Sequence, residues 1–169
     1  MVSSFIYRFE EKSQQAIGMV QDTKVIKKQH ERFIKEVCES EVVWILGNKT
    51  GYSTSGSNEY EDADGNLLSV ICVWSDKSMA ISCAKEDWTE YQPTEISLSE
   101  FIENWCVGMF ENSMLVGTNF DENMCGLESN PLDLIVELVS ELKRTRKNIP
   151  LQLYKGLDDL LRQVEQANK

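Results

Sequence analysis

Between Lys24 and Glu39, in KVIKKQHERFIKEVCE, the residues Ile26, His30, Phe33, Ile34, Val37 and Cys38 recur every three or four positions, with lysine and glutamate between them. That spacing predicts an amphipathic helix. Asp22 or Thr23 is placed to cap it, and the preceding FIYRFEEKSQQAIGMV reads as a looser helix of its own. The period then changes. EVVWILG and GYSTS are β-branched and aromatic runs, broken at Gly47-Asn48 and resumed at Gly51, which is the pattern of a hairpin. A polar loop is expected from Gly56 to Asn66, with Asp64-Gly65 as a turn, and LLSVICVW, apolar at both alternations, predicts an interior strand.

Ser75 or Asp76 follows that strand directly and suits the cap of a helix. Met79, Ala80, Cys83, Ala84 and Asp87-Trp88 form its inward stripe, while Lys77, Ser78, Lys85 and Glu86 lie towards solvent. Ser97-x-x-Glu100 is a capping box ahead of Phe101, Ile102, Trp105, Cys106 and Met109. SMLVGTNFDENMCGLES has two short apolar runs about Asp121-Glu122-Asn123, a second hairpin. Asn130-Pro131 opens a helix carrying Leu132, Ile135, Val136, Val139 and Leu142, which ends in the basic KRTRKN. Pro150 restarts a last helix with Leu153, Leu157, Leu160, Leu161 and Val164. The organisation expected is an N-terminal extension at 1–23, one domain at 24–147, and a C-terminal helix at 148–169 packed on the domain or on a partner.

Composition narrows the class. A chain of 169 residues, 41% hydrophobic, builds one sizeable core. No segment approaches the ~20 apolar residues of a membrane span, and the N-terminus lacks the pattern of a secretion signal. A soluble, cytoplasmic protein is expected. Cys38, Cys72, Cys83, Cys106 and Cys125 are odd in number and widely spaced, so free thiols are expected rather than a disulfide framework or a zinc knuckle.

The net charge of −11 is concentrated in the middle of the chain, where Glu39 to Glu137 holds 19 acidic residues against Lys49, Lys77 and Lys85. Such a segment repels phosphate backbones and excludes nucleic acid as its partner. A basic protein surface suits it.

The residues that invite a catalytic reading are better placed as scaffolding. Cys83 sits among Met79, Ala80 and Ala84, surroundings that raise a thiol pKa rather than activate it. His30 is the single histidine and lies on a packing stripe. EDADGNL fails as a calcium loop, because Tyr60 and Ile71 fall where carboxylates are required. No glycine-rich phosphate loop is present. No catalytic, cofactor-binding or metal-binding residue is assigned. The remaining candidates are aromatics among carboxylates, the makeup of a protein interface: Glu59, Tyr60, Glu61, Asp62, Glu86, Asp87, Glu90, Tyr91 and Glu95. Tyr52 and Trp88 are further aromatics of the same surroundings, and all of these also fit a lid over the rim of the sheet.

In order, ERFIKEVCESEVVWIL, GYSTS, VWSDKSMAISCAKEDWTEYQPTEISLSEFIENWCVGM and MLVGTNFDENMCGLESNPLDL resemble a bacterial family of small proteins known as domain of unknown function 2750. The most specific blocks are the tryptophan-serine pair, CAKEDW and F-x-x-x-W-x-x-G-M, and the resemblance spans about residues 27 to 142. It implies an α+β fold, a small mainly antiparallel or mixed sheet flanked by amphipathic helices, with extra terminal helices outside the match. It implies no activity.

The function expected is an acidic, cytoplasmic, non-enzymatic interaction module that binds a basic protein partner, in the manner of an inhibitor or immunity-type protein. The alternative is a small-molecule sensor or enzyme with a pocket near the sheet edge, lined by Cys72, Cys106 or Cys125 and Trp74 or Trp105. A third reading is a homodimer joined through the C-terminal helix.

Overall fold

In the computed structural model, the first amphipathic stripe belongs to a long helix, α1 (Ser3–Ser40). The structure describes the backbone of residues 3–169 and the side chains of residues 22–169. His30, Phe33, Ile34, Val37 and Cys38 are buried and Ile26 is half-buried, as their spacing predicts. Asp22 and Thr23 do not cap this helix. They lie inside it, because it begins about five turns earlier. The apolar pattern of residues 1–21 lies outside the described side chains.

The strands are β1 (Val42–Gly47), β2 (Thr54–Glu61), β3 (Leu67–Trp74), β4 (Gln92–Ser97), β5 (Leu115–Thr118) and β6 (Leu127–Ser129). They form one mixed sheet in the order β4-β1-β3-β5-β6, with β2 also paired to β3. β3 and β5 run parallel, and the remaining pairs are antiparallel.

β3 is the interior strand its composition predicts. Val70, Cys72 and Trp74 enter one core with Leu46, Ala80, Cys83, Trp88 and Phe120. Val73 faces the opposite way, into the main core of Phe33, Val37, Phe101, Ile135 and Leu138. A run apolar at both alternations is what two cores on the two faces of one sheet require.

The first hairpin is formed only at its turn, by Asn48 N–H to Gly51 O and one antiparallel bridge, and does not continue as pairing between β1 and β2. β1 pairs with the end of β3 (Trp44↔Trp74, Ile45↔Val73) and β2 with its beginning (Thr54↔Ile71, Ser55↔Val70), so the two follow one another along the same edge of β3. The physical reason is burial. Val43 and Ile45 belong to the main core and Leu46 to the second, so β1 needs neighbours on both sides and takes β3 and β4. The excursion between β1 and β2 closes with a single bridge, Gly47↔Tyr52. Buried Ser53 carries the ladder across the break: its N–H donates to Leu46 O at 2.8 Å and its Oγ to Cys72 O at 3.0 Å.

The expected polar loop from Gly56 is strand as far as Glu61, and only Asp62–Asn66 turns, with Gly65 at φ +80°. Asp62 Oδ1 accepts the Asp64 and Asn66 N–H groups at 2.9 Å, which holds that exposed carboxyl below the ordinary range. β4 also escapes the apolar pattern, since Ile96 is its one buried residue. It is an edge strand. Because Leu98 N–H points to Glu41 O, alternation turns the Pro93 nitrogen outward, where no ladder donor is needed.

Asp76 caps α2 (Lys77–Ser82), accepting the Ser78 N–H at 2.8 Å. Ser97 Oγ accepts the Glu100 N–H at 3.3 Å and opens a continuous helical run: α3 (Leu98–Glu100), a π-helical turn (Phe101–Cys106) and α4 (Val107–Glu111). Asn130 caps α5 (Pro131–Arg144) through the Leu132 N–H. The last helix, α6 (Leu157–Ala167), starts at Gly156 and not at Pro150. Buried Glu103 explains the delay: its Oε1 accepts the N–H groups of Gln152 and Leu153 at 2.8 and 2.7 Å, drawing that segment against the π turn. Leu153 is therefore exposed rather than part of the stripe, while Leu157, Leu160 and Val164 complete the main core.

Candidate functional site

α2 does not run on to Trp88 as its stripe predicts: it ends at Ser82, the chain turns back over the second core, and Asp87 is exposed while Trp88 stays buried. Cys83 caps the helix, Lys85 N–H returns to Cys83 O at 2.8 Å, and a 3-10 turn at Glu86–Trp88 seats Trp88 edge-on against Trp74, with centroids 6.2 Å apart. Glu86 takes a left-handed φ of +50°, uncommon for a residue with a side chain. The CAKEDW block thus supplies one wall of a cleft of about 640 Å³. The start of β2 and Ser69 form a second wall, and the β5–β6 hairpin tip, Glu122 to Met124, the third. Lys85 Nζ reaches across to Glu122 Oε2 at 2.7 Å.

The cleft is acidic. Among the described residues, Glu86, Asp87 and Glu122 face the single cation Lys85, which Glu122 already holds. At its floor Cys83 Sγ donates to the carbonyls of Phe120 and Asp121, both at 3.4 Å. Burial, reinforced by the negative charges of Asp121 and Glu122, pushes this thiol up to about 11, so it is a proton-bearing packing group at neutral pH.

The other thiols are dispersed. Cys72 lies in the second core and Cys38 and Cys106 in the main core; burial raises all three, Cys38 to about 12. Cys125 alone is exposed, at the hairpin tip. The structure therefore does not gather Cys72, Cys106, Cys125, Trp74 and Trp105 round one pocket. Cys72 and Cys106 are on opposite faces of the sheet, Trp74 is fully buried, and Trp105 lies under the Tyr52 ring at 4.8 Å. We expect one fast thiol per native chain with a disulfide reagent, five in denaturant, and none fast in native Cys125→Ser. Rapid native labelling of Cys83 in that variant would refute the packing assignment.

A second polar group lies under α1, at the carboxyl ends of the parallel strands β3 and β5. His30 Nε2 donates to Glu137 Oε2 and Nδ1 pairs with Thr118 Oγ1, both at 2.8 Å. Ser75 Oγ donates to Glu36 Oε2 at 2.5 Å, and Asn119, at φ +46°, accepts the Ser75 N–H at 2.9 Å and donates to Gln29 O at 3.1 Å. Ser75 and His30 thus meet neighbouring residues of one strand end, yet not each other, and both are buried. The contacts join α1 to the sheet and to α5. They bring the Ser75 hydroxyl to a carboxylate and not to the imidazole.

Of the interface candidates, Glu86 and Asp87 lie together on the cleft rim, with Glu90, Tyr91 and Glu95 following along the same segment. Glu59, Tyr60, Glu61 and Asp62 belong instead to the β2–β3 hairpin, all exposed. Glu59 lines a separate cavity of about 440 Å³ beside His30, Glu128 and Glu137. Tyr91 is half-buried against the second core, and Trp88 is buried, not an exposed aromatic. Sequence reasoning missed Glu122, Glu128 and Glu103, whose partners lie 37 to 71 residues away, beyond the reach of any local spacing.

An α+β protein with a mixed sheet, two cores and an acidic cleft over one of them is the class these observations define. The chain belongs to the family described as protein of unknown function (DUF2750), whose model matches residues 30–138. The match begins at His30 and ends within α5, so it takes in the whole sheet and the cleft. No curated protein and no solved structure matches the chain. Among the described residues, no helix is long and apolar enough to cross a membrane.

Proposed function

We propose that the protein is a non-enzymatic, cytoplasmic binding module that docks a basic protein partner on the rim of the acidic cleft, as an inhibitor or immunity-type protein does. The observation that supports this most is the charge of the rim: among the described residues, Glu86, Asp87 and Glu122 stand against one lysine that is already paired. An arginine or lysine from a partner loop entering there meets uncompensated carboxylates beside the Trp88 turn, and the surrounding negative charge speeds encounter and selects the partner. Glu90 and Glu95 continue the acidic track along the following segment.

Affinity capture on the immobilised full chain, followed by identification of what is held, tests this reading. We expect a basic protein whose retention falls sharply from low to near-physiological salt and is lost in Glu86→Lys/Asp87→Lys. Retention indifferent to both salt and charge reversal would overturn it. A small-molecule reading is favoured by one observation, the size of the cleft, which lies within the ~300–1,000 Å³ of ligand pockets. Its ligand would be a small cation held by the same carboxylates.

A further inference from the structure

On the other face of the sheet from the cleft, a cavity of about 570 Å³ opens between the end of α5, the turn that follows it and the start of α6. Its charge is opposite to that of the molecule as a whole. Lys143, Arg146, Lys147 and Lys155 line it, together with Asp158 and Asp159. Both aspartates are already engaged. Asp158 pairs with Lys143, and Asp159 pairs with Arg162 and accepts the Lys155 N–H at 3.0 Å.

Three of the cations pair with no carboxylate among the described residues. Lys147 Nζ donates to the Cys38 and Glu39 carbonyls at 3.0 and 2.6 Å, the partly negative end of α1, which offsets only part of its charge. Neither the Arg146 guanidinium nor the Lys155 ammonium pairs with a carboxylate among the described residues. Arg146 is also held on the cavity by the backbone. Lys147 N–H donates to Leu142 O at 2.8 Å and Arg146 N–H to Lys143 O at 3.1 Å, the paired bonds that end a helix with a left-handed residue. Arginine occupies that position at φ +56°, where glycine is the usual residue.

The opposite wall adds donors. Gly156 precedes α6 without a side chain to cap it, and the first-turn N–H groups of a helix have no acceptor within it. Three cations without a carboxylate partner on one cavity, with a helix start beside them, match the requirements of an oxyanion with several acceptor oxygens.

We propose that this cavity binds the phosphate group of a small phosphate monoester, with Arg146, Lys147 and Lys155 as its cationic contacts. The site does not depend on the acidic cleft.

The test is amide NMR of the full chain titrated with inorganic phosphate and with glycerol 3-phosphate, against chloride at matched ionic strength. We expect saturable shifts at Arg146, Gly156 and Leu157 with both phosphates, and at least tenfold weaker binding in Arg146→Glu/Lys155→Glu. Both side chains are exposed, so the variant should keep the wild-type thermal transition. Lys155→Gln alone, expected to weaken binding severalfold, covers the case in which the double variant does not fold. Shifts that are linear, that chloride reproduces, or that the variants leave unchanged would overturn the site. Co-sedimentation with phosphatidylglycerol vesicles, without saturable monoester binding, would overturn it as well and assign the charge to a lipid surface.

Discussion

Trp74→Ala is expected to cost about 3–5 kcal/mol of folding stability, in the range for deleting a large buried aromatic. The indole is fully buried in the second core, packed edge-on to Trp88 and next to Cys72 and Phe120. Its Nε1–H donates to Phe120 O at 2.9 Å, so truncation also leaves that buried carbonyl with only the weak Cys83 S–H as donor. Losing a buried hydrogen bond with so weak a replacement costs about 1–3 kcal/mol. Trp74→Phe separates the contributions, since it keeps most of the apolar contact and removes the donor; its expected cost is about 1–3 kcal/mol. Urea unfolding followed by circular dichroism reads both, as a lowered midpoint with an unchanged slope. A Trp74→Ala protein within about 1 kcal/mol of wild type would mean that the second core is not a packed core.

Several of the buried polar residues share one physical role: they replace a backbone or charge partner where a regular element stops. Ser53 bridges the break between β1 and β2, Glu103 takes two N–H groups from the segment before α6, and Glu128 Oε1 accepts the Asn58 N–H at 2.8 Å where β2 leaves its register on β3. Ser75 and Asn119 close the ends of β3 and β5 under α1. Leaving such groups unpaired in a low-dielectric interior is costly, so each fixes a junction between elements. That is the ground for treating Ser75 as scaffold, and His30 and Cys83 likewise spend their polar atoms on neighbouring elements.

What could be read along the chain followed burial. α1 from Lys24, β1, β3, α2, α5 and the second hairpin all carry an apolar period, and the caps Asp76, Ser97 and Asn130 are local chemistry. β2 and β4 were not legible for the converse reason. β2 has Ser57 as its one buried residue and β4 has Ile96, so neither shows the alternation of a half-buried strand. The relation of β1 to β2 was misread because two adjacent strand-like runs suggest pairing, whereas both were recruited by β3. Within the site, the acidic rim at Glu86-Asp87 was visible as residues, and the buried thiols were placed correctly by their neighbours. The cleft itself was not, because its third wall comes from Glu122 to Met124, far along the chain.

Gly126→Ala should be among the most damaging small substitutions in the molecule, because Gly126 and Gly117 flank the buried ring of Phe120. A Cβ at Gly126 would stand 2.0 Å from Phe120 Cδ1 and 2.5 Å from Cε1; one at Gly117 would stand 2.6 Å from Cε1 and 3.0 Å from Val70 Cγ1. The ring cannot easily yield, since it is packed in the second core while the Phe120 carbonyl is held by Trp74 and Cys83. Overpacking in such a setting costs about 1–3 kcal/mol and occasionally more, and an approach this close places the variant at or above the upper end. Backbone strain is a separate matter: Gly126 has no left-handed φ, so alanine there is penalised by the ring and not by its own conformation. A double-mutant cycle distinguishes the two. In a Phe120→Leu background, where the flat ring edge is gone, Gly126→Ala should lose most of its cost, a coupling of about 1–3 kcal/mol. Equal costs in the two backgrounds would show that the glycine serves the hairpin backbone, and that the cleft's third wall is not held in place by the fit of Phe120 between two glycines.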